Sequence, residues 1–320
     1  MNKVQEETKM FKKILSAALA MTMVMGLTVT SFAAKKPVKK SKSAKTETVQ
    51  EYDFCKTALK NDKLALKMHD EILKDLKAAK SVIKVNVNGY SDEKVFDSFQ
   101  KAVQMIFDQH PEIFWLDVAQ NVVLEDGTLA FYPRPAKGYG EANHKGTSPS
   151  KIDKDAISKT TAELDKAVKG MEGNTRYEMV KNIHDTIIKG NKYPENPDKA
   201  THNQHQAVGA LLEGESVCDG YAKAIKYACD KKGIPCLIVR GYATNNIGES
   251  GSHAWNYVQM EDGKWYQIDA DWDDPQVLGD RSKNYLSHEF FLKGDIKNDT
   301  RKPAKGVAYP KLSTSDYKAQ

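Results

Sequence analysis

The sequence predicts an α+β protein, in which helices and antiparallel strands occupy separate stretches of the chain. Apolar residues recur at helical spacing in several segments, and shorter apolar or alternating runs bounded by turn residues lie between and after them. Of the 320 residues, 40% are hydrophobic and 28% are charged. This is enough apolar material for one or two cores, and the charge is too low for a disordered polymer.

The N-terminal part of the predicted fold, residues 51–135, is a smaller helical and hairpin region. Two amphipathic helices are predicted in it, over residues 52–83 and after the N-cap Ser91, and Pro111 stops the second helix. The apolar runs that follow predict three strands, over residues 113–118, 121–124 and 129–132, the last two joined in a hairpin by an Asp-Gly turn. Nothing in this region is chemically specific, so we expect it to select substrate or to act as a lid or scaffold.

A linker is predicted over residues 136–150, because Gly, Pro, Ser and Asn are dense there. It leads to a second domain, residues 151–320. This domain opens with a helix over residues 152–168, and the capping-box pattern from Thr175 to Glu178 starts another.

Cys218 lies in the first turn of a further predicted helix, residues 217–230. Unpaired N–H groups and the macrodipole at that end of a helix stabilise a thiolate, so a nucleophilic cysteine is well placed there. A lone cysteine in an amphipathic helix is more often a core residue, however. The chemistry therefore depends on which groups lie next to Cys218.

Three strands are predicted after this helix, over residues 236–242, 253–260 and 265–269. The last two flank Glu261-Asp262-Gly263, which fits a three-residue hairpin loop that pairs residue 260 with residue 264.

In that register, His253 shares one face of the hairpin with Trp255, Asp269 and Asp271. Asp271 lies opposite His253, and Asp269 lies diagonal to it. A two-residue loop would put His253 on the other face from both carboxylates.

Five segments of the C-terminal half resemble, in order and spacing, the bacterial transglutaminase-like superfamily. The segments are Ala210-Leu211-Leu212, Val217-Cys218-Asp219-Gly220-Tyr221-Ala222-Lys223-Ala224, Gly233-Ile234-Pro235, His253-Ala254-Trp255-Asn256 and Trp265-Tyr266-Gln267-Ile268-Asp269-Ala270-Asp271-Trp272-Asp273-Asp274-Pro275. The resemblance runs from about residue 177 to residue 295 and says little about the N-terminal region.

The resemblance implies a papain-like transglutaminase core, in which the helix bearing the cysteine packs on an antiparallel sheet. It also implies a Cys-His-Asp triad at Cys218, His253 and Asp269. The family usually has Thr at the position of Asp271, so the motif assigns Asp269 to the triad, although the strand register alone places Asp271 nearer to His253.

A papain-like site also needs a second oxyanion donor, usually a side chain just upstream of the cysteine helix. The candidates for this donor are Gln204, His205 and Gln206. The candidates for the walls of the site are Tyr221, Trp255, Asp271 and Trp272. Packing in the core is the competing interpretation for the three aromatic residues.

The function implied is that of a thiol acyl-transfer enzyme, a transglutaminase-like acyltransferase or peptidase acting on peptide or protein amides. Hydrolysis of the acyl-enzyme makes a protease or amidase, and attack by an amine makes a cross-link. This chemistry requires no cofactor. The alternative is a non-catalytic binding or structural module of the cell envelope with the same fold.

The N-terminus predicts a cleavable signal peptide over residues 1–33. Lys9, Lys12 and Lys13 precede an almost unbroken apolar run over residues 14–29, and small residues follow up to Ala33; an uncleaved membrane anchor is the competing interpretation. The next stretch, residues 34–50, is predicted to be a disordered linker. Its segment from Lys35 to Lys45 holds six lysines and is expected either to attract an anionic envelope polymer or to act as a plain tether. We therefore expect a secreted or envelope-associated protein.

Other partners and sites are not supported by the sequence. The net charge of +5 is spread along the chain without a nucleic-acid-binding motif. Residues 269–280 begin like an EF-hand loop but lack its Gly and its final Glu, and His202 and His205 have no third ligand at a recognisable spacing, so no metal site is predicted. The three remaining cysteines are Cys55, Cys229 and Cys236. Free buried thiols are favoured over a disulfide between the last two.

Overall fold

A computed structural model describes residues 14–15, 53–144, 148–244, 248, 250–274, 286–295 and 299–319. Apart from Ile14–Leu15, the predicted signal peptide lies outside the described residues, as does the whole predicted Lys-rich linker. Among the helices that the structure describes, none has the length and apolar character needed to cross a membrane.

Helices and strands alternate in groups along the described chain. The α-helices are α1 (Phe54–Leu59), α2 (Lys63–Lys77), α3 (Asp92–Gln109), α4 (Lys154–Lys169), α5 (Arg176–Gly190) and α6 (Cys218–Lys231). The strands are β1 (Ile14–Leu15), β2 (Ile83–Asn86), β3 (Asn121–Glu125), β4 (Thr128–Tyr132), β5 (Gly140–Glu141), β6 (Lys151–Ile152), β7 (Cys236–Thr244), β8 (Ser250–Gln259), β9 (Trp265–Ile268) and β10 (Lys302–Pro303). This mixture of helices and antiparallel sheets confirms the predicted α+β class.

The N-terminal region is an antiparallel sheet, in the order β1-β3-β4-β2, with α2 and α3 in its core. Ser91 caps α3 by accepting a hydrogen bond from the Lys94 N–H, as predicted. The predicted hairpin is also present: Leu124 pairs with Leu129, and the two turn residues Asp126 and Gly127 both have positive φ, as a tight two-residue turn requires.

Two predictions for this region are wrong. The first predicted helix does not reach Ile83, because the chain leaves α2 through Ala79 at a φ of 47°, and Ile83 begins β2 by pairing with Phe131. The run 113–118 is not a strand either. It begins at the last residue of a short 3₁₀ helix, Pro111–Ile113, and the four consecutive residues 113–116 are all buried, without the alternation that marks a half-exposed strand.

Part of the predicted linker, residues 136–144 and 148–150, packs against the rest of the protein. Ala136 and Tyr139 are buried, and β5 pairs with β6. Both side chains belong to one buried apolar cluster that runs from α2 and α3 through to α6.

The C-terminal sheet is antiparallel, in the order β10-β7-β8-β9, and α6 packs against β7 and β8. Its β8–β9 hairpin has the predicted register. Gln259 pairs with Trp265, the Met260 N–H donates to the Lys264 carbonyl at 3.0 Å, and Gly263 takes the left-handed position with a φ of 74°. The three-residue loop is therefore confirmed, and it sets which face of β8 carries His253.

Candidate active site

Cys218 is the first residue of α6 and is half-buried. The preceding Val217 gives the helix no side-chain cap, and its own N–H donates to the Gln204 carbonyl at 3.1 Å. Within the described chain, the N–H groups of Cys218 and Asp219 have no hydrogen-bond acceptor. Two donors with positive potential are thus free beside the sulfur.

His253 brings its ring to this helix end from β8. The Cys218 Sγ, a ring nitrogen of His253 and a carboxylate oxygen of Asp271 all lie within 4.8 Å of one another. His253 Nε2 lies 2.9 Å from the Asp269 Oδ2, whereas Nδ1 is 3.8 Å from the Asp271 Oδ2. Because Asp269 occupies Nε2, Nδ1 is the nitrogen left to exchange a proton with the thiol.

The strand register alone places Asp271 nearer to His253 than Asp269, and the structure shows the reverse because β9 ends too early. The last pair of the β8–β9 ladder is Asn256 with Ile268, and residues 269–273 form a turn closed by the Asp273 N–H donating to the Asp269 carbonyl at 3.0 Å. This turn swings Asp269 towards His253. As a result, Asp269 is the carboxylate that lies within hydrogen-bond distance of His253.

Arg301 is a further member of the site that the sequence did not indicate. Its Nη1 donates to the Asp269 Oδ2 at 3.1 Å, and Asp299 holds the rest of the guanidinium. The guanidinium also lies over the rings of Trp272 and Phe290, at 5.7 Å and 4.9 Å from their centroids. It comes from a polar C-terminal segment with no motif, so only the fold brings it to Asp269.

The charges of His253 and Asp269 support each other. Burial works against the charged form of both groups, but their mutual attraction and hydrogen bond prevail, so the pKa of His253 lies well above its usual value and that of Asp269 lies below. Arg301 lowers the pKa of Asp269 further. Burial raises the pKa of the Cys218 thiol, and His253 partly offsets this effect.

Asp271 is in a different state from Asp269. Burial, assisted by repulsion from neighbouring carboxylates, raises its pKa to about 7, and its Oδ1 is buried with no hydrogen-bond partner in the described part of the chain. Asp271 lies beside the thiol and the imidazole. Its carboxyl changes charge near neutral pH.

The aromatic wall candidates surround His253. Its ring stacks between Trp255, with centroids 5.8 Å apart, and Trp272, with centroids 5.1 Å apart. Trp255 is 1% exposed and belongs to the core as well. Tyr221 is buried beneath the site, where its hydroxyl donates to the Asp274 carboxylate at 2.7 Å. These contacts fix the orientation of the imidazole ring.

The three oxyanion candidates differ in how their side chains are held. Gln204 donates to Glu215 and accepts from the Thr201 N–H, and the His205 ring lies 3.0 Å from the Asp219 carboxylate. The side-chain oxygen of Gln206, Oε1, accepts a hydrogen bond from Lys223. Its side-chain nitrogen, Nε2, has no partner among the residues described.

Asp219, next to the nucleophile in sequence, would repel a thiolate, but its charge is balanced. Besides His205, the Arg240 guanidinium lies 3.7 Å from the Asp219 carboxylate and also pairs with Asp108 of α3. Although burial opposes it, the hydrogen bond with His205 and the charges of Lys223 and Arg240 lower the pKa of Asp219 to about 2. The sequence did not reveal Arg240, because it lies inside a strand pattern.

The turn that carries Asp269 is anchored from α5. His184, which is fully buried, lies 3.1 Å from the Asp273 carboxylate and 3.0 Å from that of Asp185. Burial disfavours the charged ring, but the two carboxylates prevail and raise the pKa of His184. This buried histidine thus ties α5 to the 269–273 turn.

Three groups of side chains in the described residues bring metal-ligating atoms within 4.8 Å of one another. They are Cys55 with His69 and His110, His184 with Asp185 and His288, and Cys218 with His253 and Asp271. The second group anchors the turn and the third belongs to the candidate active site.

Comparison with known proteins shows what part of this chain is similar to. The Transglutaminase-like superfamily model matches residues 164–270. Among solved structures, one described as a TGase aligns at 12% identity and a TM-score of 0.31, over 48% of this chain and 44% of its own. The periplasmic domain of TgpA from Pseudomonas aeruginosa, bound to ethylmercury, aligns at 19% identity and a TM-score of 0.28, over 39% of this chain and 46% of its own. The chain thus spans less than half the length of each. A search of curated proteins found no match. The protein contains a transglutaminase-like core.

Proposed function

We propose that the protein is a thiol acyl-transfer enzyme acting on peptide or protein amides. The observation that carries this proposal is the convergence of Cys218, at a helix N-terminus, with a His253 ring that Asp269 holds at 2.9 Å. Each group alone is common in proteins. Here the three groups lie next to one another in space. The half-buried thiol can act as the nucleophile, the imidazole as the base, and the charged carboxylate as the group that orients the base.

The reaction begins from the form in which His253 is neutral, with its proton on the Nε2 that faces Asp269, and the Cys218 proton passes to the free Nδ1. Because burial raises the pKa of the thiol, this transfer depends on the basicity that Asp269 gives the imidazole. The thiolate attacks the amide carbonyl, and the free N–H of Cys218 stabilises the oxyanion. His253 then protonates the leaving amine, and water or a second amine resolves the acyl-enzyme. We assign the second oxyanion donor to Gln206, whose amide nitrogen is free.

The experiment is intact-mass analysis after brief exposure to iodoacetamide at neutral pH. We expect rapid modification at one cysteine, lost in Cys218→Ala and retained in Cys236→Ala, which removes a thiol that is 4% exposed. If labelling were slow and Cys218→Ala did not change its rate, the protein would not be an enzyme of this kind, and the alternative of a non-catalytic envelope module with the same fold would be favoured.

The fate of the acyl-enzyme needs a second measurement. The protein is incubated with a glutamine-bearing protein and a fluorescent primary amine, with Cys218→Ala as the control. Incorporation of the amine identifies a cross-linking enzyme, and fragments of the protein substrate identify a peptidase. If Cys218 alkylates rapidly but neither product is formed, the glutamine-bearing protein and the amine are both excluded as substrates.

We further propose that the enzyme acts outside the cytoplasm, after removal of residues 1–33. N-terminal sequencing of protein expressed with its leader should then begin at Ala34. The lysines between Lys35 and Lys45 would hold the mature protein near an anionic envelope polymer, and retention on such a polymer should fall as salt rises.

A further inference from the structure

A second cluster of cysteine and histidine lies outside the candidate active site, where α1, α2 and the end of α3 meet. It consists of Cys55, His69 and His110, and the first two are 6% and 4% exposed. His69 Nε2 lies 3.2 Å from His110 Nε2, and the Cys55 Sγ lies 3.7 Å from the same His110 nitrogen. All three ligand atoms are within 4.8 Å of one another.

The outer nitrogens of both rings face carboxylates. His69 Nδ1 is 2.9 Å from the Asp70 Oδ1, and His110 Nδ1 is 3.0 Å from the Glu112 Oε1. A carboxylate only accepts hydrogen bonds, so each Nδ1 carries the proton. With one proton on each ring, both Nε2 lone pairs point into the same small space, where they repel each other unless a cation lies between them.

A divalent cation bound by both Nε2 atoms removes this repulsion. Tetrahedral zinc, with bonds of about 2.0–2.1 Å to nitrogen and about 2.3 Å to sulfur, sets its ligand atoms roughly 3.3 Å apart for two nitrogens and roughly 3.6 Å apart for nitrogen and sulfur. The distances of 3.2 Å and 3.7 Å in the cluster agree with both values.

We propose that Cys55, His69 and His110 bind one zinc ion, with Asp70 and Glu112 orienting the two imidazoles. One thiolate and two imidazoles are ligands that suit zinc, and a carboxylate behind each histidine is the usual support of such a ligand. Binding releases the Cys55 proton to solvent, since the metal takes the thiolate.

The metal would have a structural role. Its three ligands come from α1, α2 and the residue that caps α3, so one ion would cross-link the three helices. The side chain of His110 is 18% exposed, which gives the ion a path from solvent and leaves room for water as the fourth ligand. No short sequence motif reveals the site, because its ligands are spread over residues 55–110.

The test uses the mature chain carrying Cys218→Ala, so that the active-site cysteine cannot bind metal. After removal of metals by a chelator, the protein is titrated with Co²⁺, and Zn²⁺ is then added to displace it. We expect one equivalent of Co²⁺ with the strong visible bands of tetrahedral coordination and a thiolate-to-cobalt charge-transfer band, both abolished by Zn²⁺.

Two variants and a control assign the ligands. Adding Cys55→Ala should remove the charge-transfer band and weaken Zn²⁺ binding at least 100-fold, whereas Cys229→Ala, which removes another buried thiol, should change neither. Asp70→Asn alters a carboxylate whose side chain is 67% exposed, so it leaves the fold intact, and it should weaken Zn²⁺ binding about 10- to 100-fold.

The proposal is overturned if the Cys218→Ala protein binds no Co²⁺ tetrahedrally, or if the thiolate band survives Cys55→Ala. Unchanged affinity in Asp70→Asn would equally reject it. None of these outcomes depends on whether the protein is an enzyme, so the zinc site and the proposed function stand or fall separately.

Discussion

At the scale of single residues, two carboxylates flank His253 and differ in charge at neutral pH. Asp269 has Arg301 at 3.1 Å and a backbone N–H from Trp272 at 3.2 Å, so it remains ionised. Asp271 has a buried oxygen without a partner in the described chain. The two residues therefore make different contributions, although both face the same imidazole.

We expect Asp269→Asn to slow alkylation of Cys218 at neutral pH by about 10-fold or more, and Asp271→Asn to leave it within a few-fold. Loss of the Asp269 charge lowers the pKa of His253. Each decrease of one in this pKa makes proton transfer from the thiol about 10-fold less favourable. The measurement is the rate of iodoacetamide labelling by intact mass. If Asp271→Asn abolished labelling while Asp269→Asn retained it, the roles of the two carboxylates would be reversed.

The raised pKa of Asp271 makes folding stability depend on pH. Its carboxyl keeps a proton in the folded protein up to a pH of about 7, while the unfolded chain loses it near the ordinary aspartate pKa of 3.8. Between these two values the folded state binds more protons, so stability falls as pH rises and reaches its full loss above about 7.

We expect Asp271→Asn to be more stable than the parent at pH 8, by on the order of a few kcal/mol, with the difference disappearing below pH ~4. The measurement is urea unfolding of both proteins across this range. Asp316→Asn is the control, because its carboxyl is half-exposed and paired with Lys293. A constant difference between parent and Asp271→Asn at all pH values would exclude a protonated Asp271 in the fold.

At the scale of elements, the start of α6 depends on a close approach that only glycine permits. A Cβ on Gly220 would lie 2.4 Å from the Gln204 carbonyl oxygen, and the same oxygen accepts the Val217 N–H. This contact holds the turn that carries the oxyanion candidates against the cysteine helix.

We expect Gly220→Ala to lower the free energy of unfolding by about 1–3 kcal/mol and to slow alkylation of Cys218, because backbone must move on one side of the contact. Gly190→Ala is the matched control. A Cβ there meets nothing within 4 Å, so its stability should stay within about 1 kcal/mol of the parent. Thermal unfolding measures both variants, and equal stabilities would mean that the turn tolerates displacement.

The elements also show what the sequence could and could not predict. The β8–β9 register was predictable because Asp262 and Gly263 specify a loop length, and the α3 start was predictable because Ser91 is a local cap. The strand β2 was not predictable from its own four residues, since it pairs with β4, which lies more than 40 residues later in the sequence. In the site, Cys218 and His253 lie in recognisable motifs, whereas Arg301 reaches Asp269 only through tertiary structure.

At the scale of the whole molecule, the N-terminal region is joined to the edge of the C-terminal sheet. The Gln109 side chain donates to the Ile238 carbonyl at 2.7 Å and accepts from its N–H at 3.1 Å, so it takes the place of a neighbouring strand on β7. Asp108 pairs with Arg240 of the same strand, and Phe54 of α1 packs with side chains of this sheet. These contacts support a scaffold role for the N-terminal region.

We therefore expect residues 53–319 to unfold in one cooperative transition, followed equally by circular dichroism and by protection of Cys218 from alkylation. Gln109→Ala should lower the free energy of unfolding by about 2–3 kcal/mol for both probes, because it leaves two buried backbone groups of Ile238 unpaired. Gln104→Ala, also on α3, removes a side-chain contact with Asp108 alone and should cost under about 1 kcal/mol. If the helices melted first while Cys218 stayed protected, the N-terminal region would be an independent domain rather than part of the structure that holds the site.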